Sequence, residues 1–169
     1  MRTIVIKYAA TAAIISFVWT LIEHIAGFNS IRHDIGEYTR LLPAIVYYIL
    51  VIAAIRRYKA QLAGYISFKD AFKLGTGVSF FYAILATCWF AFYAEAINTE
   101  FQETLKGFEQ SKLLNKGASS LEVAEAIKQI ELISGGSLLS YLLLFCYLFI
   151  TGFLITLVTS LIVKKERPY

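Results

Sequence analysis

The chain has 169 residues, enough for one compact unit and too few for two sizeable domains. It is 58% hydrophobic and 17% charged, whereas a soluble domain carries roughly a quarter charged residues, so too little polar surface exists to cover a water-soluble globule. The net charge of +4 could suit nucleic acid or acidic lipid, but its placement, described below, argues against nucleic acid as a partner.

A helix rises about 1.5 Å per residue, so about 20 apolar residues cross the hydrocarbon core. The apolar residues fall in four blocks of suitable length. The first span is predicted over about 8–27, after Arg2 and Lys7. It resembles a signal peptide in its start, yet Glu23 and His24 occupy the place a cleavage site would need, so the helix is read as retained. The second, about 41–57, is the shortest; Pro43 suits a helix start, and Arg40, Arg56 and Arg57 can snorkel outward to lengthen it. The connection before it, with His33, is read as a loop. The third, about 71–97, opens after a capping box formed by Ser67 and Asp70. The fourth, about 137–163, starts at the Gly135–Gly136 break and closes at Lys164, Lys165, Glu166 and Arg167.

The polar stretch 98–136 is predicted as an amphipathic helical hairpin. Asn98 and Thr99 read as caps of its first helix, with Phe101, Leu105 and Phe108 on one face and a stop at Lys116–Gly117. Ser119 and Glu122 read as a capping box for the second, with Val123, Ile127, Ile130 and Ile133 on one side. The loops alternate in charge. Basic residues dominate the N-terminus, the 56–73 connection and the C-terminus, while 98–136 is acidic and the first connection is balanced. Because Lys and Arg concentrate in cytoplasmic loops, both termini are expected in the cytoplasm and the hairpin on the opposite face.

Helices in lipid associate where small residues let backbones approach. Ala71, Gly75, Ser79, Ala83, Thr87 and Ala91 form a row at every fourth residue of the third span; Gly152, Thr156 and Ser160 do so in the fourth, and Ala12, Ser16 and Thr20 in the first. The hydroxyls in these rows read as glue between helices. Trp19, Tyr58, Tyr65, Tyr93 and Tyr141 fit an interfacial aromatic belt. Ionisable residues inside spans are functional suspects. Here they are Glu23, His24 and Glu95, with Asn98 close by, a set that could bind a metal ion or relay protons but reads more simply as polar groups at the water interface. Cys88 and Cys146 read as inert packing. No catalytic, cofactor-binding or metal motif is present; Gly75-Thr76-Gly77 lies within a helix and is not a phosphate loop.

The stretch Gly64-Tyr65-Ile66-Ser67-Phe68-Lys69-Asp70-Ala71-Phe72-Lys73-Leu74-Gly75, the aromatic span after it, and Ile97-Asn98-Thr99-Glu100-Phe101 with the acidic hairpin resemble a bacterial membrane family, domain of unknown function 4199. The family pattern has proline where this chain has Thr99. The resemblance covers most of the chain and implies a Gram-negative inner-membrane location, with no assigned activity or functional residues to carry over. The expected protein is therefore an all-α integral membrane protein, one domain over 1–169, built as a four-transmembrane-helix bundle with an extracytoplasmic amphipathic hairpin. It is expected to be non-enzymatic and without cofactor: a structural, regulatory or partner-binding subunit, or alternatively a small proton-coupled transporter, as a single copy or an oligomer. Membrane lipid, and a membrane-protein partner or second copy, are its expected partners.

Overall fold

A computed structural model describes residues 1–134 and 136–165; Gly135 in the predicted break, and Glu166 and Arg167 in the predicted basic closure, lie outside the described residues. Among the described residues seven α-helices follow in order: α1 (Arg2–Ile25), α2 (His33–Thr39), α3 (Leu41–Gln61), α4 (Phe68–Phe92), α5 (Phe101–Asn115), α6 (Ser120–Ile133) and α7 (Leu138–Val163). A π-helical turn, Tyr93–Ile97, continues α4. Among the described residues four stretches are long and apolar enough to cross a membrane: Arg2–Ile25, His33–Gln61, Phe68–Ile97 and Leu138–Val163.

The boundaries differ from the sequence expectation in informative ways. Helix α1 begins at Arg2 rather than near residue 8, and α3 runs to Gln61 rather than 57. Charged residues with long stems remain good helix formers, so backbone hydrogen bonding continues past the point where apolarity stops. Helix α3 ends where Ala63 and Gly64 adopt φ of 56° and 86°; the Gly64 N–H then reaches back to the Lys59 carbonyl at 3.0 Å. The segment read as the first loop contains α2, which runs through Arg40 in helical conformation almost directly into α3. Its seven residues are too few to produce a periodic apolar signal.

The contacts divide the chain into two compact units: residues 1–17, 42–86 and 145–169, and residues 18–41 and 87–144. In the first unit the helices pack by close backbone approach. Ala71, Gly75, Ser79 and Ala83 of α4 are buried, as are Gly152, Thr156 and Ser160 of α7 and Ala12 and Ser16 of α1. A Cβ at Gly75 would strike the Thr156 side chain, and one at Gly152 would strike the Tyr47 phenol and Ser79 Oγ. The Tyr47 and Tyr82 rings stack with centroids 3.9 Å apart, and the Tyr82 hydroxyl meets Ser16 Oγ at 3.0 Å. Tyr47 donates to the Leu148 carbonyl. Phe80 and Phe81 remain on the exposed side.

Of the hydroxyls expected to act as glue, Ser16 does bond across helices, to Tyr82, while others turn to their own backbone. Ser79 Oγ donates to the Gly75 carbonyl of its own helix, and Thr151 to its own Tyr147 carbonyl. The carbonyl four residues back is the nearest acceptor, so the longer tyrosines make the cross-helix bonds cited above. The end of α7 is tied by Lys59 Nζ, which donates to the Val163 carbonyl at 2.8 Å, and by an antiparallel bridge between Ile66 and Lys165.

In the second unit α5 and α6 pack together, joined by Lys106, which lies 3.0 Å from both Glu103 and Glu131. These carboxylates hold the Lys106 ammonium above its ordinary range. The Ser119–Glu122 capping box is formed in both directions. Val123 and Ile130 are buried and Ile127 is half-buried, whereas Ile133, read as part of that face, is 60% exposed because it falls at the end of α6, where the apolar stripe has rotated away.

Two expectations follow. Gly152→Ala should cost about 1–3 kcal/mol through overpacking against Tyr47 and Ser79, while Gly107→Ala, where a Cβ meets nothing within 4 Å, should add about 1 kcal/mol of helix propensity; thermal unfolding in detergent checks both. The Glu122 carboxyl is held below its ordinary 4.5 by the Ser119 backbone N–H and then by its hydroxyl. Because this lowered value belongs to the folded state, its stabilising effect is full above the ordinary value and is lost as pH falls through the lowered one. Amide-exchange protection at Ser119 and Glu122 should therefore drop on acidification below about pH 4.5, and Glu122→Gln should remove most of that pH dependence.

Candidate functional site

The polar residues nominated by the sequence belong to the second unit, where α1, α2, the π-turn and α5 meet. Trp19 and Glu23 lie four residues apart and so share a face of α1. A turn at Gly27, φ 75°, leads the chain toward α2. Both α1 side chains then engage one residue: Trp19 Nε1 donates to the Thr39 carbonyl at 3.1 Å, and the Thr39 hydroxyl donates to Glu23 Oε1. Glu23 is 2% exposed. It is thus shielded from solvent, because α2, unseen in the sequence, covers it.

Arg40 follows Thr39. Its Nη2 lies 2.9 Å from His33 Nδ1, and its guanidinium stands over the Phe101 ring at 5.5 Å. Glu23, Glu37 and Glu109 supply the negative charge around it. A guanidinium has donors only, so His33 Nδ1 must accept. The ring proton then sits on Nε2, which donates to Thr104 Oγ1 at 3.0 Å, while the Thr104 hydroxyl donates to the Phe101 carbonyl. The hydrogen bonds thereby assign His33 as a neutral Nε2–H tautomer. Its ring packs on Phe101 and Phe108 of α5. Gly36 is required on the opposite side: a Cβ there would meet the Phe28 carbonyl oxygen. An ion pair from Lys112 to Glu37 adds a second tie between α5 and α2.

The π-turn supplies the remaining part. Its extra residue carries the Asn98 N–H to the Tyr93 carbonyl at 2.8 Å and turns the Asn98 side chain inward. Asn98 Nδ2 donates to the Asn29 carbonyl at 3.0 Å and to the Tyr93 hydroxyl at 2.9 Å. The Tyr93 hydroxyl is also hydrogen-bonded to His24 Nδ1 at 3.2 Å. Asn98 is therefore not the cap expected of it; Glu100 stands at the start of α5 without a side-chain cap. Tyr93, expected in an interfacial belt, is 1% exposed, since its ring fills the space beside His24 and Phe101.

Three of the four nominated residues, Glu23, His24 and Asn98, thus enter the cluster. Glu95 does not. It is exposed and accepts from the Tyr141 hydroxyl, because two positions along a helical turn from Tyr93 point away from it. Sequence reading missed Arg40, His33, Tyr93, Thr39 and Asn29. Arg40 and His33 carried a signal, a cation and an imidazole seven residues apart beside an apolar block, but His33 reads as a loop residue and Arg40 as a snorkelling end of the second span. Among the described residues no three His, Cys, Asp or Glu side chains are grouped to hold a metal ion. Asn29 Oδ1 and Arg40 Nε are buried without a hydrogen-bonding partner in the protein, one an acceptor and the other a donor.

Four membrane-length apolar helices, with an internally bonded polar cluster, define a multi-pass, four-span type of helical protein. Within that class the chain belongs to the family described as Protein of unknown function (DUF4199), whose family model matches residues 7–165. Neither the curated proteins nor the solved structures contain a match to it.

Tyr93→Phe should cost about 1–3 kcal/mol in thermal unfolding, since the buried Asn98 donor and the His24 ring nitrogen lose their partner. Glu95→Gln, at an exposed position, should stay within about 0.5 kcal/mol. Equal effects would contradict the separation of Glu95 from the cluster.

Proposed function

We propose that this protein is a non-enzymatic, partner-binding subunit of the bacterial cytoplasmic membrane, with both termini in the cytoplasm and the α5–α6 pair presented on the opposite face. The carrying observation is how the cluster spends its hydrogen bonds. Glu23, Thr39, His33, Asn98 and Tyr93 point at one another or at backbone carbonyls, so their chemistry fastens α5 to α2 and the π-turn. The helix pair so anchored carries exposed Leu114, Leu121, Leu132 and Ile133 among acidic residues, apolar groups suited to a protein partner at the membrane surface. The proposed orientation rests on the basic residues Arg2, Lys7, Arg56, Arg57, Lys59, Lys69, Lys73, Lys164 and Lys165 and the tendency of such residues to remain cytoplasmic.

A second reading, a small proton-coupled carrier, is supported by Glu23 buried within an apolar stretch and by the unpartnered Asn29 Oδ1 and Arg40 Nε beside it. The two readings separate experimentally. Purification in mild detergent should recover a stoichiometric companion that is lost when residues 98–136 are replaced by a flexible linker, and tags on either terminus should be unreachable from outside intact cells. Absence of any companion, together with pH-driven flux in vesicles that Glu23→Gln abolishes, would favour the carrier instead.

A further inference from the structure

Ile49, Ile52, Ala53, Arg56, Lys59 and Ala60 follow one another at helical spacing along α3 and form a single stripe. Its first part is apolar. Ile49, Ile52, Ala53 and Arg56 line a concavity of about 310 Å³ on the outside of α3, and Ile49 is 58% exposed. Its second part is cationic. Arg56 also lines a larger concavity of about 400 Å³, formed with Lys59, Ala60, Gly64 and the end of α7 at Ile162 and Val163. The two hollows thus share one side chain, and all these residues belong to the first unit.

The two cations have different roles. Lys59 Nζ is committed to the Val163 carbonyl, which closes the floor of the larger hollow while leaving the positive charge there. Arg56 is exposed, and among the described residues nothing pairs with its guanidinium. The rim is open at Gly64, where a Cβ would meet nothing within 4 Å. An apolar groove that ends on an exposed guanidinium is complementary to an amphiphile with an anionic head. A guanidinium fork matches phosphate oxygens in paired geometry, and the groove from Ile49 to Arg56 runs about 10 Å along the helix.

We propose that this stripe is a binding site for an anionic phospholipid, with an acyl chain lying along Ile49, Ile52 and Ala53 and the phosphate held by Arg56 above Lys59. The site rests on the membrane reading given above, and Arg57 provides an internal control, since it lines a different hollow with Lys7, Tyr8 and Gln61.

Native mass spectrometry of the full chain released from mild detergent, titrated with phosphatidylglycerol or phosphatidylcholine, tests it. Wild type should retain one phosphatidylglycerol in preference to phosphatidylcholine. Arg56→Gln should weaken that retention by about tenfold, the scale of one charge-assisted contact, and Ile52→Trp should weaken retention of the same lipid by filling the groove. Arg57→Gln should retain it as wild type does. Equal losses from Arg56→Gln and Arg57→Gln would overturn the site in favour of a diffuse basic surface. Equal retention of both lipids, or displacement by inorganic phosphate alone, would overturn it as well. A chain that stays monodisperse without detergent would instead refute the membrane reading beneath it.

Discussion

A guanidinium can only donate, and much of the second unit is arranged around that constraint at Arg40. In an apolar surrounding a cation must be met by acceptors, rings and opposite charge. Here those are His33 Nδ1, the Phe101 face and the carboxylates of Glu23, Glu37 and Glu109. Each demand propagates. The acceptor role of Nδ1 places the His33 proton toward Thr104, which ties α2 to α5; the carboxylate of Glu23 takes the Thr39 hydroxyl, which ties α2 to α1. The π-turn then brings Asn98 and Tyr93 against the same assembly. One cation at the α2–α3 junction therefore accounts for why this run of polar residues is buried rather than solvated.

The first unit obeys a different rule. Lipid tails give apolar helices little reason to prefer one another over solvent, so contact depends on how closely backbones can approach. Gly75 against Thr156, and Gly152 against Tyr47 and Ser79, are approaches at which even a methyl group would collide. The tyrosines exploit the space: Tyr47 and Tyr82 stack, and their hydroxyls reach partners on other helices. The side chains on the far face, such as Phe80, Phe81 and Ile49, stay exposed, as expected of surfaces that meet hydrocarbon.

Legibility followed periodicity. The four apolar blocks, the capping box at Ser119–Glu122 and the small-residue rows are written in spacing along one helix, and local hydrogen bonding suffices to realise them. The rows lost their meaning toward their ends: Ala71 through Ala83 are buried, while Thr87 and Ala91 are only half-buried. The candidate site was readable only in part. Glu23 and His24 stood out because charge is rare in an apolar block, whereas His33 and Arg40 stood in a segment too short and polar to show a helical period.

Length and apolarity alone determined that the chain forms membrane-length helices with a polar helix pair between the last two, since such preferences act residue by residue. Tertiary structure decided which polar groups meet. Whether Asn98 caps a helix or turns inward depends on a single inserted residue in the π-turn, and whether Glu95 joins Glu23 depends on the direction in which that turn ends. Those outcomes are set by groups distant in sequence competing for the same hydrogen-bonding partners, information that no local spacing contains.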